Sequence, residues 1–277
     1  MWARICDPIR RYCRYLRSIV SFLFCWPNAR VQAAIEKGNM AKNGTAIVAG
    51  AQQVIGEGLV EGFLQSGYSV VATSLRAGEL SRFSPDLIVI EGDIRDRETA
   101  TKSVEAALTR FGTIDVLVNN AGIYIAKPFT EFTADDFNAL VSVNLLGFLH
   151  MRQLAVKQML QQESGCVVTI SASLADNPIA GVNASVSMIT KGGLNTITRH
   201  LAIEYAKQGI RFNAIAPGVV DTPLHRANPK EYLRTLQPMG SIAEIADIVE
   251  AVLYLASARQ VTGEVLHVDG GDHGGRW

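Results

Sequence analysis

Short apolar runs alternate with longer amphipathic stretches along most of the chain. The runs are TAIVAG (45–50), YSVVATS (68–74), DLIVIEG (86–92), DVLVNNAG (115–122), CVVTIS (166–171), IRFNAIAPG (210–218) and EVLHVDGG (264–271). They are rich in Val and Ile and end near Gly, Asn or Asp, a pattern that suits strands buried on both faces of a parallel sheet. Between them lie IGEGLVEGFLQSG (55–67), TATKSVEAALTRFG (99–112) and LNTITRHLAIEYAKQG (194–209). In the last of these Leu194, Ile197 and Leu201 share one helical face. Unbroken alternation of this kind predicts an α/β fold: one doubly wound, mostly parallel sheet in a single domain over 40–277.

The chain has 277 residues, 48% of them hydrophobic, enough to bury a sizeable core. Formal net charge is zero, which gives no global reason to expect a nucleic-acid partner. Charge is uneven, however: residues 1–39 hold seven Lys/Arg against two acidic residues. That basic extension contains an apolar run from Ile19 to Trp26, far short of the roughly twenty residues that span a bilayer. Arg10-Arg11 ahead of the run is compatible with an interfacial helix or an export signal. The preferred reading is a dispensable extension, with the folded unit starting near Met40 and no membrane partner. Three of the four cysteines lie in the extension, and Cys166 is alone in the body. No CxxC pair or Cys/His spacing points to zinc or a disulfide framework, so a reduced, cytoplasmic domain without metal is expected.

The first strand-to-helix turn reads AGAQQVIGEGLVEGF. In a doubly wound sheet this turn meets a dinucleotide's pyrophosphate, on the free N–H groups of the helix start. Gly50 suits the tight turn and Gly56 the close packing of helix on strand. Glycine spacing alone is a weak signal, and its position directly after the first strand strengthens it.

Further along stand Asn119-Asn120-Ala121-Gly122 closing the fourth strand, Asn144 in VSVNLLG, Lys191 in ITKGG, APGVVDTPLH (216–225) and VTGEVLHVDGG (261–271). In that order and on those elements, the set resembles the short-chain dehydrogenase/reductase family over about residues 44–277. The resemblance implies a single Rossmann-like domain with a seven-stranded sheet, assembled as a homotetramer or homodimer. It also implies a nicotinamide cofactor held by Gly50, Ile55, Gly56, Asp93, Ile94, Asn120, Ala121, Gly122, Lys191, Pro217, Gly218, Val220 and Thr222. By the same resemblance Asp93 meets the adenine and Thr222 the carboxamide. Turn-capping at strand ends would explain Asn119 and Asp93 as well.

Two departures touch the first turn. Ala49 and Val54 replace the Thr and the middle Gly of the family pattern, and a β-branched residue adds bulk beside the pyrophosphate. Weakened rather than abolished binding is the expectation. At the end of the second strand, where NAD specificity calls for an acid, stand Ser74, Leu75 and Arg76. A hydroxyl and a guanidinium suit a 2′-phosphate, so NADP is the expected cofactor and NAD the alternative.

The reaction centre departs further. In the family a tyrosine passes the proton, and a lysine four residues later lowers its pKa and binds the nicotinamide ribose. A serine polarises the substrate oxygen, and the asparagine holds a water relay. Lys191 and Asn144 are present, but Ser187 occupies the tyrosine position. An aliphatic hydroxyl is far less acidic than a phenol and its side chain is shorter. The enoyl-reductase spacing, seven before the lysine, gives Ala184. The polarising serine is Ser173 or Ser171, with Ser173 preferred and strand-end capping the plain alternative; the second serine of the usual pair is Ala172. As a stand-in proton donor, Tyr124 is the candidate, because His150 should point away from Asn144 and Tyr205 should be buried by its helix. The segment after Thr222 is basic through His225, Arg226, Lys230 and Arg234, and by analogy forms a lid. Two readings follow: an NAD(P)(H)-dependent oxidoreductase for a small carbonyl or alcohol substrate, weakened by the lost tyrosine, or a non-catalytic relative serving as a nucleotide-binding or oligomeric scaffold.

Overall fold

The computed structural model describes residues 43–52, 54–76 and 84–275. The expectations for residues 1–39 lie outside the described residues. Seven strands form one sheet in the order β3-β2-β1-β4-β5-β6-β7. They are β1 (Thr45–Ala49), β2 (Ser69–Ser74), β3 (Leu87–Glu91), β4 (Val116–Asn119), β5 (Gly165–Ile170), β6 (Ile210–Pro217) and β7 (Val265–Val268). Every neighbouring pair is parallel. Each apolar run read from the sequence therefore contains one strand, and the sheet is parallel throughout.

Period-two alternation sends side chains to both faces of the sheet. Val48, Val70 and Val118 pack with Leu59 and Phe63 of α1 (Val54–Gln65) and with Ile248 and Val252 of α7 (Ile245–Ser257). On the other face Ile47, Leu117 and Phe212 meet Ala107 of α2 (Arg97–Phe111) and Met151 of α4 (Phe148–Gln162). The remaining helices are α3 (Ala134–Val141), α5 (Ser185–Glu204) and α6 (Lys230–Arg234). A Thr133/Asp136 capping box starts α3, satisfying N–H groups that a helix start leaves open. A π-helical turn, Ser142–Gly147, links α3 to α4 and carries Asn144.

The continuous helix over 134–162 is long and apolar enough to cross a membrane. Its residues Phe148, Met151, Ala155, Val156 and Met159 are buried, four of them within the core on the α2 side of the sheet, so its apolar character serves the core. The helix read from 194–209 in fact starts at Ser185. Strand order reverses between β1 and β4, and the loops leaving the carboxyl ends there and beyond build the site.

Candidate active site

The turn after β1 brings three backbone segments together. Gly50 adopts φ 80°, a conformation natural to glycine, and a Cβ there would lie 2.6 Å from the Ala121 Cα. A Cβ on Gly56 would overlap the Gly50 carbonyl oxygen. Asn120 Nδ2 donates to that oxygen at 2.8 Å, tying the end of β4 to the turn. The Asn120 and Ala121 amides also donate to the Ala49 carbonyl. Close backbone packing thus shapes the turn at the start of α1, where a pyrophosphate would lie. Val54 is the first residue of α1, and no positive φ strains it. Its effect is the bulk of its side chain, which lines the cleft described next.

Two adjoining clefts share Gln52, Gly122 and Ile123. The smaller, 340 Å³, is lined by Gly50, Ser74, Asp93, Ile94 and Ala121 among others. Ser74 is only 3% exposed. Its hydroxyl donates to the Arg76 carbonyl at 2.8 Å and accepts from the Arg76 amide at 3.1 Å, closing a tight turn. Arg76 does not line either cleft. Arg95 does line the smaller one, and its guanidinium grips both oxygens of Asp93 at 2.6–3.0 Å. That hydrogen-bonded pairing holds the Asp93 carboxyl below the usual range.

The larger cleft, 700 Å³, is bordered by Ile55, Asn120, Tyr124, Ser171, Ala172 and Lys191 on one side. Pro217, Gly218, Val220, Thr222 and His225 complete it. Lys191 Nζ donates to the Ile170 carbonyl at 2.9 Å, and burial pulls its pKa down to about 8. Gly122 lets the lysine and the asparagine crowd in: a Cβ there would sit 3.2 Å from Asn144 Oδ1 and 3.4 Å from Lys191 Nζ. Asn144 itself is buried and reaches the cleft through backbone. It accepts from the Ile123 amide at 2.8 Å and donates to the Ile123 carbonyl at 3.0 Å.

Ser187 is turned away from the cleft and 1% exposed. Its hydroxyl accepts from the Ile125 amide at 3.0 Å and donates to the Ile125 carbonyl at 2.8 Å. Ser173, the preferred polarising residue, is buried at the start of a 3₁₀ turn and does not line the cleft. Ser171, the other candidate, and Ala172 do line it, and the Ser171 hydroxyl donates to the Lys191 carbonyl at 3.2 Å. Tyr124 lines the cleft, whereas His150 and Tyr205 do not. Among the described residues no group of three or more His, Cys, Asp or Glu side chains is placed to hold a metal ion.

The family pattern described as enoyl-(acyl carrier protein) reductase matches residues 49–273. A tropinone reductase homologue of Arabidopsis thaliana is 34% identical over 242 residues, covering 82% of this chain and 92% of the relative. The 3-oxoacyl-acyl-carrier-protein reductase of Thermotoga maritima is 31% identical, covering 81% and 96%. Among solved structures, ElxO with NADP bound superposes with a TM-score of 0.78 at 27% identity, covering 85% of this chain and all of that one. The chain belongs to the short-chain dehydrogenase/reductase family.

As a short-chain dehydrogenase/reductase, the chain keeps the family's architecture and most of its cleft-forming backbone. Sequence reasoning passed over Arg95, two residues beyond Asp93, and treated His225 only as part of a basic loop. Burial lowers the His225 pKa, with Asp221 opposing the shift. The charge of Lys230, from the same loop, is paired with Asp221 at 2.6 Å instead of facing the cleft.

Proposed function

We propose that the protein is a cytoplasmic, homo-oligomeric NADP(H)-dependent reductase of a small carbonyl compound, slow for its family. One observation carries this reading: the two clefts join at Gln52, Gly122 and Ile123 into one groove along the carboxyl ends of the strands. A dinucleotide needs that shape, with its adenosine half toward Asp93 and its nicotinamide half toward Lys191 and Thr222. Gly50 and Gly122 line the clefts, and Gly56 lets α1 pack against the Gly50 peptide. NADP is favoured over NAD because no carboxylate ends β2, and Arg95 adds a guanidinium to the adenosine side.

The bound nicotinamide would supply the hydride. Lys191 would hold the ribose beside it, and Asn144 would keep the Ile123 peptide and its carbonyl in place. Slow turnover is expected because Ser187 and Ser171 spend their hydroxyls on backbone, and Ala172 has none to offer a substrate oxygen. The same facts favour a second reading, a nucleotide-binding relative without turnover. A homo-oligomer is supported by large apolar side chains exposed along α3 to α5: Phe137, Leu146, Leu149 and Ile189. Buried, unpaired Cys166 supports a reducing compartment.

Oxidation of NADPH against a panel of ketones and aldehydes is the test. Saturable turnover with a small kcat is expected. NADPH binding without turnover on any carbonyl would replace this reading with the second one.

A further inference from the structure

Reduction of a carbonyl needs a proton donor within reach of the oxygen, and Ser187 faces the wrong way. Its buried hydroxyl closes a two-pronged bridge to the Ile125 peptide groups, at 3.0 and 2.8 Å. Two residues earlier in the same segment, Asn144 bridges Ile123 in the same manner, at 2.8 and 3.0 Å. Asn144 is steadied in turn by Thr190, whose hydroxyl it reaches at 2.9 Å and which donates to the Ser187 carbonyl at 2.8 Å. Tyr124 lies between the two bridged residues. Both peptides flanking it are therefore fixed by buried side chains from the π turn and from α5. Tyr124 lines the 700 Å³ cleft together with Lys191 and Ala172.

Resting on the reductase reading above, we infer that Tyr124 is the catalytic phenol of this site and that Ser187 is its positioning residue. The phenol has moved from α5 to the loop after β4, and the shortened side chain it left behind anchors that loop. In the step, the carbonyl carbon accepts the hydride from the reduced nicotinamide while the Oη–H bond of Tyr124 breaks. The proton bonds to the carbonyl oxygen, so the carbonyl is reduced to an alcohol and the nicotinamide is oxidised. The phenolate then regains a proton from water. Burial raises the Tyr124 pKa above the ordinary tyrosine value, so the group stays protonated and serves as a donor in reduction. Lys191 and His225 are the other titratable side chains lining the cleft.

The test combines kinetics with hydrogen exchange on the nucleotide-free protein. Tyr124→Phe should lower kcat about 100-fold or more, the usual range for losing a general acid, with the Kd for NADPH held within about twofold. Ser187→Ala should lower kcat about tenfold without changing KM, and should speed exchange of the Ile125 amide about tenfold. Tyr254→Phe, exposed on α7, should match the wild type. Wild-type kcat in Tyr124→Phe overturns the inference and leaves the reductase reading standing. So does a loss that falls on His225→Gln instead, or an Ile125 amide indifferent to Ser187→Ala. NADPH binding with no turnover in the wild type removes the reductase reading and this inference together.

Discussion

The turn after β1 and the start of α5 respond differently to sequence change. In the turn, three chain segments touch backbone to backbone: Gly50 abuts Ala121, Gly56 abuts Gly50, and Asn120 bonds Gly50. At Gly50 and Gly56 no side chain can be added without moving main chain. At the start of α5 the function of position 187 depends on where one hydroxyl points. There the Ser187 hydroxyl bonds the Ile125 backbone. Backbone contact fixes the shape of the turn, whereas the role of position 187 rests on the direction of a single side chain.

The largest expected effect breaks the first side of this comparison. Gly56→Ala puts a methyl group against the Gly50 carbonyl and 2.8 Å from the Ala51 Cα. Urea unfolding should show a loss of about 3 kcal/mol, and NADPH titration an affinity at least about 100-fold weaker. Gly192→Ala, on α5 with nothing within 4 Å of the added carbon, should instead gain about 0.5–1 kcal/mol. Equal outcomes for the two variants would remove the distinction.

The second side is sharpened by placing a phenol at position 187 and a hydroxyl at position 172. Ser187→Tyr combined with Ala172→Ser should raise kcat about 100-fold, and the Kd for NADPH should stay within about twofold. A fall in kcat would mean that the anchor at Ile125 matters more than the added hydroxyls.

A smaller effect comes from Lys191. Its folded-state pKa, about 8, lies below the usual 10.5, so the unfolded chain binds more protons between those values and stability rises with pH there. Relative to Lys191→Met, the wild type should gain about 2 kcal/mol between pH 7 and pH 10. Thermal unfolding of both proteins across that range gives the sign. A difference that stays constant would place the ammonium in a better solvated site.

The smallest effect is at Val54, whose side chain lines the cleft without backbone strain. Val54→Gly should tighten NADPH binding by about three- to tenfold, or roughly 1 kcal/mol, and an unchanged or weaker Kd contradicts the steric account.

Much of this was legible in the sequence because buried parallel strands write themselves as Val/Ile runs. All seven runs contain strands, and Gly50, Asp93, Gly122, Lys191 and Thr222 line the two clefts. The start of α5 was not legible. Two glycines, serines and β-branched residues in SVSMITKGG have low helix propensity, and the segment is helical because Ser187, Thr190 and Asn195 are buried by tertiary packing. Side-chain direction was equally hidden. No periodicity says that Ser74 bonds the backbone of its own turn, that Ser173 is buried while Ala172 meets the cleft, or that Arg95 pairs with Asp93. These facts depend on which backbone group lies nearest, and only the folded chain brings those groups together.

The central claim, a groove that holds a phosphorylated nicotinamide nucleotide, is tested most directly by titrating the wild-type protein with NADPH and with NADH by nucleotide fluorescence. The account predicts saturable binding of both, tighter for NADPH by about tenfold or more. Absence of saturable binding by either nucleotide would contradict it.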